Sequence, residues 1–303
     1  MSLFTRVIMA TTGAGPVRTT ITGTRAGRAL AGRFVAGDTL EEAVTAASGL
    51  HEKGLHVSFD LLGEEVTDRS GARRAAEEYL ECLETIPSTG VNANISVKLT
   101  QLGLAIDADL AAEAVDGLAR AAGRSQTTMT IDMEDSRYTQ ATTDIYAEAQ
   151  SRHGNLGICL QACLRRTPDD LARLLPLGGH IRLCKGAYVE PADIAFQSDA
   201  DVDAAFARLL AVLMEAEEVR PAVATHDPRL ITHTLDLASR RQGGFEFQML
   251  YGVRGDEQER LVGLGHDVRV YLPFGSAWYP YLTRRLAERP ANAWFFVRSL
   301  IGS

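Results

Sequence analysis

Residues Leu156–Lys185 read LGICLQACLRRTPDDLARLLPLGGHIRLCK, and the order of elements in that stretch decides the fold. The apolar run Leu156–Gln161 reads as a short strand. The segment after it opens Thr167-Pro-Asp-Asp, where proline suits a first helical position because its missing N–H is not needed there. A second apolar run, His180–Lys185, follows. Strand, helix and strand in that order imply parallel pairing.

The same alternation extends in both directions. Further strand candidates are His56–Leu61, Asn94–Leu99, Met129–Met133, Ala222–Thr225, Phe245–Leu250 and Val268–Leu272. Helix-like stretches lie between them: Ser70–Thr85, Ala108–Gly123, Tyr138–Ser151, Ala200–Glu218, Arg229–Arg240 and Glu257–Gly265. Ser70, and Asp227 ahead of Pro228, read as helix caps. Eight strands in this order predict an α/β fold, with a closed (β/α)8 TIM-type barrel favoured over an open sheet. Gly13-Ala-Gly15-Pro breaks the dinucleotide-binding glycine pattern, and no P-loop is present. Residues 1–50 stand outside the repeat as an N-terminal helical segment, with helices around Ala26–Val35 and Leu40–His51. Residues 51–303 form the barrel, and no Gly-, Pro- or Ser-rich linker interrupts them, so one domain is expected.

Composition narrows the function. The chain has 303 residues, 46% hydrophobic, with a net charge of −8. An acidic chain argues against nucleic acid as a partner. Four cysteines in no secreted pattern, no signal peptide and no apolar run of membrane-spanning length point to the cytoplasm. No metal site is expected, since Cys159 and Cys163 sit in an apolar strand segment where free cysteines pack as small hydrophobes. Of 31 basic residues only Lys53, Lys98 and Lys185 are lysine. Two of these interrupt apolar strands in a chain that otherwise uses arginine, which marks Lys98 and Lys185 as functional candidates.

Polar residues gather where strands end, and in a barrel of this type the carboxyl ends of the strands carry the active site. They are Lys98, Asp132, Gln161, Arg182 with Lys185, His226, and Tyr271. Arg284, Arg285 and Glu288 lie on the last helix. Taken singly, His226 reads as a structural histidine and Lys98 with Asp132 as a buried ion pair. Their joint occurrence at six strand ends reads as a site. Glu134 and Asp135 are too close in sequence to flank a glycosidic bond.

The motifs Ser-Val-Lys98-Leu-Thr, Ile-Asp132-Met-Glu-Asp, Leu-Gln161-Ala-Cys-Leu-Arg-Arg-Thr, Arg182-Leu-Cys-Lys185-Gly-Ala-Tyr and Ala-Thr225-His226-Asp resemble those of proline dehydrogenases. So do Phe-Gln-Met-Leu250-Tyr-Gly, Val-Tyr271-Leu-Pro-Phe-Gly and Thr-Arg284-Arg285-Leu-Ala-Glu288, over residues 50 to 296 or so. The resemblance is to the short monofunctional bacterial enzymes. It implies a distorted barrel with the last helix over its mouth and non-covalent FAD above the strand ends. The implied reaction oxidises L-proline to Δ1-pyrroline-5-carboxylate and passes electrons to a membrane quinone. A separate pyrroline-5-carboxylate dehydrogenase, in transient contact at most, would take the product.

By the same resemblance Arg284 and Arg285 hold the proline carboxylate, a task for which paired guanidinium groups are well shaped. Lys98 adds a cation there, Asp132 holds Lys98, and Tyr271 and Leu250 pack on the proline ring. Arg182 lies near the flavin N5, where negative charge develops. Met133, Gln161, Lys185, Gly186, Ala187, Thr225 and His226 map onto flavin contacts, and Glu64 pairs with Arg285 as a gate. Val189 and Asp227 depart from the family's usual residues. Two rival readings stand beside this one: a class I aldolase-like barrel with a Schiff base on Lys98 or Lys185, and a silent flavin- or amino-acid-binding protein.

Overall fold

The computed structural model describes Arg28, residues 31–63 and residues 66–288, with side chains as far as Thr283. Its elements run α1 (Leu40–His51), β1 (His56–Leu61), α2 (Arg69–Thr89), β2 (Ala93–Val97), α3 (Ala108–Arg124), β3 (Met129–Ile131), α4 (Ser136–His153) and β4 (Leu156–Gln161). After these come α5 (Thr167–Leu174), β5 (His180–Cys184), α6 (Asp199–Glu215), β6 (Arg220–Ala224), α7 (Pro228–Ala238), β7 (Glu246–Leu250), α8 (Gly255–Gly263), β8 (Asp267–Phe274) and α9 (Trp278–Glu288). Each strand pairs in parallel with the next, and β8 returns to β1 with Ser58 beside Tyr271. The sheet is a closed barrel of eight strands in sequence order, as the alternation predicts.

Local chemistry explains most element ends. Thr39 and Glu42 form a reciprocal capping box at the start of α1. Asp227 caps α7 by accepting from the Arg229 backbone N–H at 3.0 Å, as expected. The cap of α2 is Asp68 rather than Ser70: the Asp68 carboxylate accepts from Gly71 N at 2.8 Å, and Ser70 donates its hydroxyl to that carboxylate. A carboxylate just outside the helix outcompetes a hydroxyl within its first turn. Helix α2 also continues through Pro87 to end at Gly90, whose φ of 68° is the left-handed geometry glycine adopts freely.

Inside the barrel the side chains are mostly polar. Hydrogen bonds cross it between strands that are not neighbours, from Arg182 of β5 to Ser96 of β2 at 3.0 Å and from Tyr271 of β8 to Asp132 after β3 at 2.7 Å. Inward and outward positions alternate along a strand. The intervening residues, such as Val57, Phe59, Ile95, Val97, Ile181, Leu183, Phe247 and Met249, are therefore turned outward and form a buried apolar layer with the helices. At the amino-terminal end of the barrel, His180 Nε2 lies 2.6 Å from Thr130 Oγ1, and Arg269 Nε donates to Glu246 Oε1 at 2.9 Å. Gly157 opposite leaves the room the His180 ring occupies; a Cβ there would overlap it.

Helix α1 packs against β8 and β1, with Ala43 and Ala47 fully buried. Helix α9 sits elsewhere. Its Trp278, Tyr279, Tyr281 and Leu282 pack with Phe34 and Val35, with Leu62 just after β1 and with Val253 just after β7. The last helix thus begins on the carboxyl end of the barrel.

Burial pushes the His180 pKa down from 6.5 to about 4, with nearby arginines adding to that effect and Glu246 opposing it. Below pH 6.5 the unfolded chain therefore binds a proton that the folded chain refuses. Stability is present above that pH and is lost as pH falls towards 4. Thermal melting across this window should show a falling Tm, and His180→Asn should flatten the fall; equal slopes for the two proteins would assign the acid sensitivity to another group.

Candidate active site

Four charged side chains and a tyrosine interlock at the carboxyl end of the barrel. Asp60 near the end of β1 is fully buried and accepts from Lys98 Nζ at 2.6 Å. Lys98, just past β2, also donates to the Tyr271 hydroxyl at 3.1 Å and lies 3.5 Å from Asp132 Oδ2. Tyr271 donates its own proton to Asp132 Oδ2 at 2.7 Å. Ser96 donates to Asp132 Oδ1 at 2.7 Å, and the Arg182 Nη1 group donates to the same carboxylate oxygen. The Arg182 Nε group donates to Gln248 Oε1. The Tyr271 ring lies 5.3 Å from the Arg182 guanidinium carbon and 5.9 Å from Lys98 Nζ, within reach of both cations.

The electrostatics follow from burial and pairing. Burial opposes the charge on Asp132, but Arg182 and Lys98 outweigh it and hold the carboxyl below its usual range. Burial likewise opposes the charge on Lys98, and Asp60 with Asp132 raises its pKa nonetheless. Asp60, with burial dominant, is pushed up. Two cations and two anions face each other in a space where none could be left alone cheaply. Both lysines are held as ammonium groups, Lys98 by Asp60 and Lys185 by Asp203 at 2.5 Å and Asp227 at 3.1 Å. A Schiff-base lysine must be an amine, so the aldolase-like reading loses its chemical basis.

Lys98, Asp132, Arg182 and Tyr271 are brought together as the sequence predicts, and the expected Lys98–Asp132 pair is joined by a closer partner, Asp60. Lys98 is held chiefly by Asp60, with Asp132 the longer contact, because Asp60 points inward from the neighbouring strand. Asp60, Ser96 and Gln248 were missed. The signal was the period-two alternation: Asp60 stands between Phe59 and Leu61, Ser96 between Ile95 and Val97, and Gln248 between Phe247 and Met249.

The remaining candidates lie along the same rim. Met133 is buried after β3, and Leu250 is half-buried at the end of β7. Gln161 ends β4 and donates to Glu134 O at 2.8 Å. Gly186 has φ 106°, and a Cβ there would collide with Cys163 Sγ; Gly186 and Ala187 are both exposed. Thr225 accepts from Asp227 N at 3.1 Å, and His226 Nε2 accepts from Leu250 N at 2.9 Å. The histidine ring thereby ties the end of β6 to β7. Arg284 and Arg285 lie on α9, with side chains outside the described residues. Glu64, and with it the Glu64–Arg285 gate, also falls outside them.

The buried quartet predicts a non-additive stability effect. Asp60→Ala leaves Lys98 short of its nearest counter-charge and should cost about 3–5 kcal/mol. The double variant Asp60→Ala/Lys98→Met should recover much of that loss, as read by chemical denaturation. Additive losses in the double variant would mean that the two side chains are not energetically coupled.

Comparison with known proteins agrees with this architecture. A profile of the proline dehydrogenase family matches residues 43–298. Proline dehydrogenase 1 of Bacillus subtilis (strain 168) is 38% identical over 282 residues, 92% of each chain. The proline dehydrogenase of Deinococcus radiodurans is 36% identical over 280 residues, 90% of each. Among solved structures, proline utilization A from Bdellovibrio bacteriovorus, inactivated by N-propargylglycine, superposes with a TM-score of 0.81 at 23% identity. That match covers 86% of this chain and 33% of the other, and it speaks for the fold. A profile match over residues 43–298 and relatives more than a third identical over nine-tenths of the sequence place this chain in the proline dehydrogenase family.

Proposed function

We propose that the chain binds FAD non-covalently over the carboxyl ends of its strands and uses it to oxidise L-proline to Δ1-pyrroline-5-carboxylate, with electrons passed on to a quinone. The observation that carries this reading is the Arg182 guanidinium, buried among Asp132, Ser96 and Gln248 with its Nη2 lacking any partner among the described residues. A buried cationic N–H without an acceptor fits a bound group on which negative charge accumulates. The exposed Gly186-Ala187 stretch, just past the same strand, lets a flat group approach the backbone closely. FAD supplies the acceptor for the hydride that leaves the proline ring carbon beside nitrogen. The ring nitrogen gives up its proton, and the C–N bond becomes C=N.

Substrate binding follows from the cations. Arg284 and Arg285 hold the proline carboxylate from α9, and Lys98 approaches it from the strand side. The Lys98–Asp132 contact, at 3.5 Å, is the longest of the three that Lys98 makes, and so the easiest to exchange for a substrate carboxylate. Tyr271 and Leu250 pack on the ring. Met133, Gln161, Lys185, Gly186, Ala187, Thr225 and His226 hold the flavin, and Glu64 closes over the substrate by pairing with Arg285. The chain acts as one domain. Among the described residues no helix is long and apolar enough to cross a membrane. We place the enzyme in the cytoplasm, in peripheral contact with the membrane that holds its quinone, with a pyrroline-5-carboxylate dehydrogenase as a transient partner.

The visible spectrum of the purified protein, before and after anaerobic addition of L-proline, tests this reading. A flavin spectrum that bleaches is expected. A flavin that stays oxidised would move the proposal to another substrate, and a protein that remains colourless after added FAD would end it. For the gate, Glu64→Ala should weaken proline binding, turnover or both; if neither changes, the pairing is discarded.

A further inference from the structure

A chain of buried hydrogen bonds runs from the amino-terminal end of the barrel to Arg182. Arg269 is anchored on Val57 O at 2.8 Å, and its Nε donates to Glu246 Oε1 at 2.9 Å. Gln248 Nε2 donates to the same carboxylate oxygen at 2.6 Å, and Gln248 Oε1 accepts from Arg182 Nε. Gln248, Glu246 and Arg269 are all buried, and the links between them are direct.

The direction of this chain is enforced. A glutamine amide can offer Arg182 either its oxygen or its NH2 group, and the NH2 group would meet the guanidinium donor to donor. Glu246, ionised beside Arg269, can only accept. It takes the amide NH2 and leaves the oxygen for Arg182. Once Nε is fixed to Gln248 and Nη1 to Asp132 and Ser96, the planar guanidinium has no remaining freedom, and the direction of Nη2 is set.

We propose that Gln248 and Glu246 are positioning residues for the oxidation, which hold Arg182 Nη2, without a partner among the described residues, towards the reacting centre. The inference rests on the function proposed above. Among the described residues neither has a hydrogen bond to Lys98 or Tyr271, so each acts through Arg182.

The test uses the holoenzyme and two variants. Gln248→Leu removes the acceptor at Nε. The rate of flavin reduction by L-proline should fall roughly tenfold to a hundredfold, while KM for proline moves less than about twofold, because the carboxylate is bound elsewhere. The exchange variant Glu246→Gln/Gln248→Glu keeps the partners but not the atoms: Arg269 and Gln248 share Glu246 Oε1, so the new amide must turn to accept from Arg269 with its oxygen and donate with its NH2 to the new carboxylate, which accepts from Arg182. It should recover most of the rate and, with an anion now touching Arg182, lower the flavin reduction potential. A Gln248→Leu enzyme with unchanged reduction rate would overturn the proposal. So would an exchange variant that fails to fold, or one that folds and stays as slow as Gln248→Leu. Crystal structures of both variants read the guanidinium directly, whatever the substrate proves to be. Arg182 turned in the leucine variant and held in the exchange variant supports the inference, and Arg182 unmoved in both refutes it. A wild-type protein that proline does not reduce would count against the proposed function alone.

Discussion

The Asp132 carboxylate is the point on which the rest of the structure depends. It follows β3 and receives hydrogen bonds from Ser96 of β2, Arg182 of β5 and Tyr271 of β8, with Lys98 close by. One anion therefore ties together strands on different sides of the barrel. Its charge survives burial only because two cations are buried with it. They in turn are held by carboxylates: Lys98 by Asp60 and, at longer range, Asp132, and Arg182 by Asp132 directly. The geometry of the site and the closure of the barrel are thus one constraint.

A polar interior shifts the work of stabilisation outward. Barrels of this kind usually fill their centre with branched apolar residues. Here the centre holds Asp60, Ser96, Asp132, Arg182, Glu246 and Gln248, so the favourable burial comes from the ring between sheet and helices. That ring is closely packed. Helix α3 buries Ala111, Ala119, Ala121 and Ala122, small residues that let a helix lie near the sheet, and Tyr79 of α2 is fully buried with its hydroxyl donating to Gln101 at 2.9 Å. Close packing resists displacement, and that rigidity holds the charges inside at fixed distances.

How much of this was legible follows from the same division. Strand and helix order was read from apolar runs, because the outward face of each strand must meet a helix whatever lies inside. The strand ends were legible for Lys98, Asp132, Arg182 and Tyr271, where a charge or hydroxyl interrupts an apolar run. Asp60 was harder: in His-Val-Ser-Phe-Asp-Leu the inward positions 56, 58 and 60 are all polar, so the carboxylate looks like one member of an alternation rather than an interruption. Which inward residues meet across the barrel depends on the stagger between strands, which no local stretch encodes. The closer Lys98–Asp60 contact is for that reason not legible in the sequence. Lys185 likewise finds its partners, Asp203 and Asp227, at the starts of two helices far along the chain.

The two central cations also differ for a reason that the chain's preference for arginine makes visible. Lys98 serves three oxygens, on Asp60, Tyr271 and Asp132, which belong to different strands and do not share a plane with one another by any necessity. A compact ammonium with freely rotating donors suits such a set, and a planar guanidinium would have to forgo one of them. Arg182 has the opposite task. Two of its nitrogens are committed, so the rigid fork transmits their positions to the third, and the direction of Nη2 is fixed without a hydrogen-bond partner of its own among the described residues. A lysine at 182 would supply charge without direction, and an arginine at 98 would supply direction where exchangeable contacts are needed. Each cation is the residue type its neighbours require.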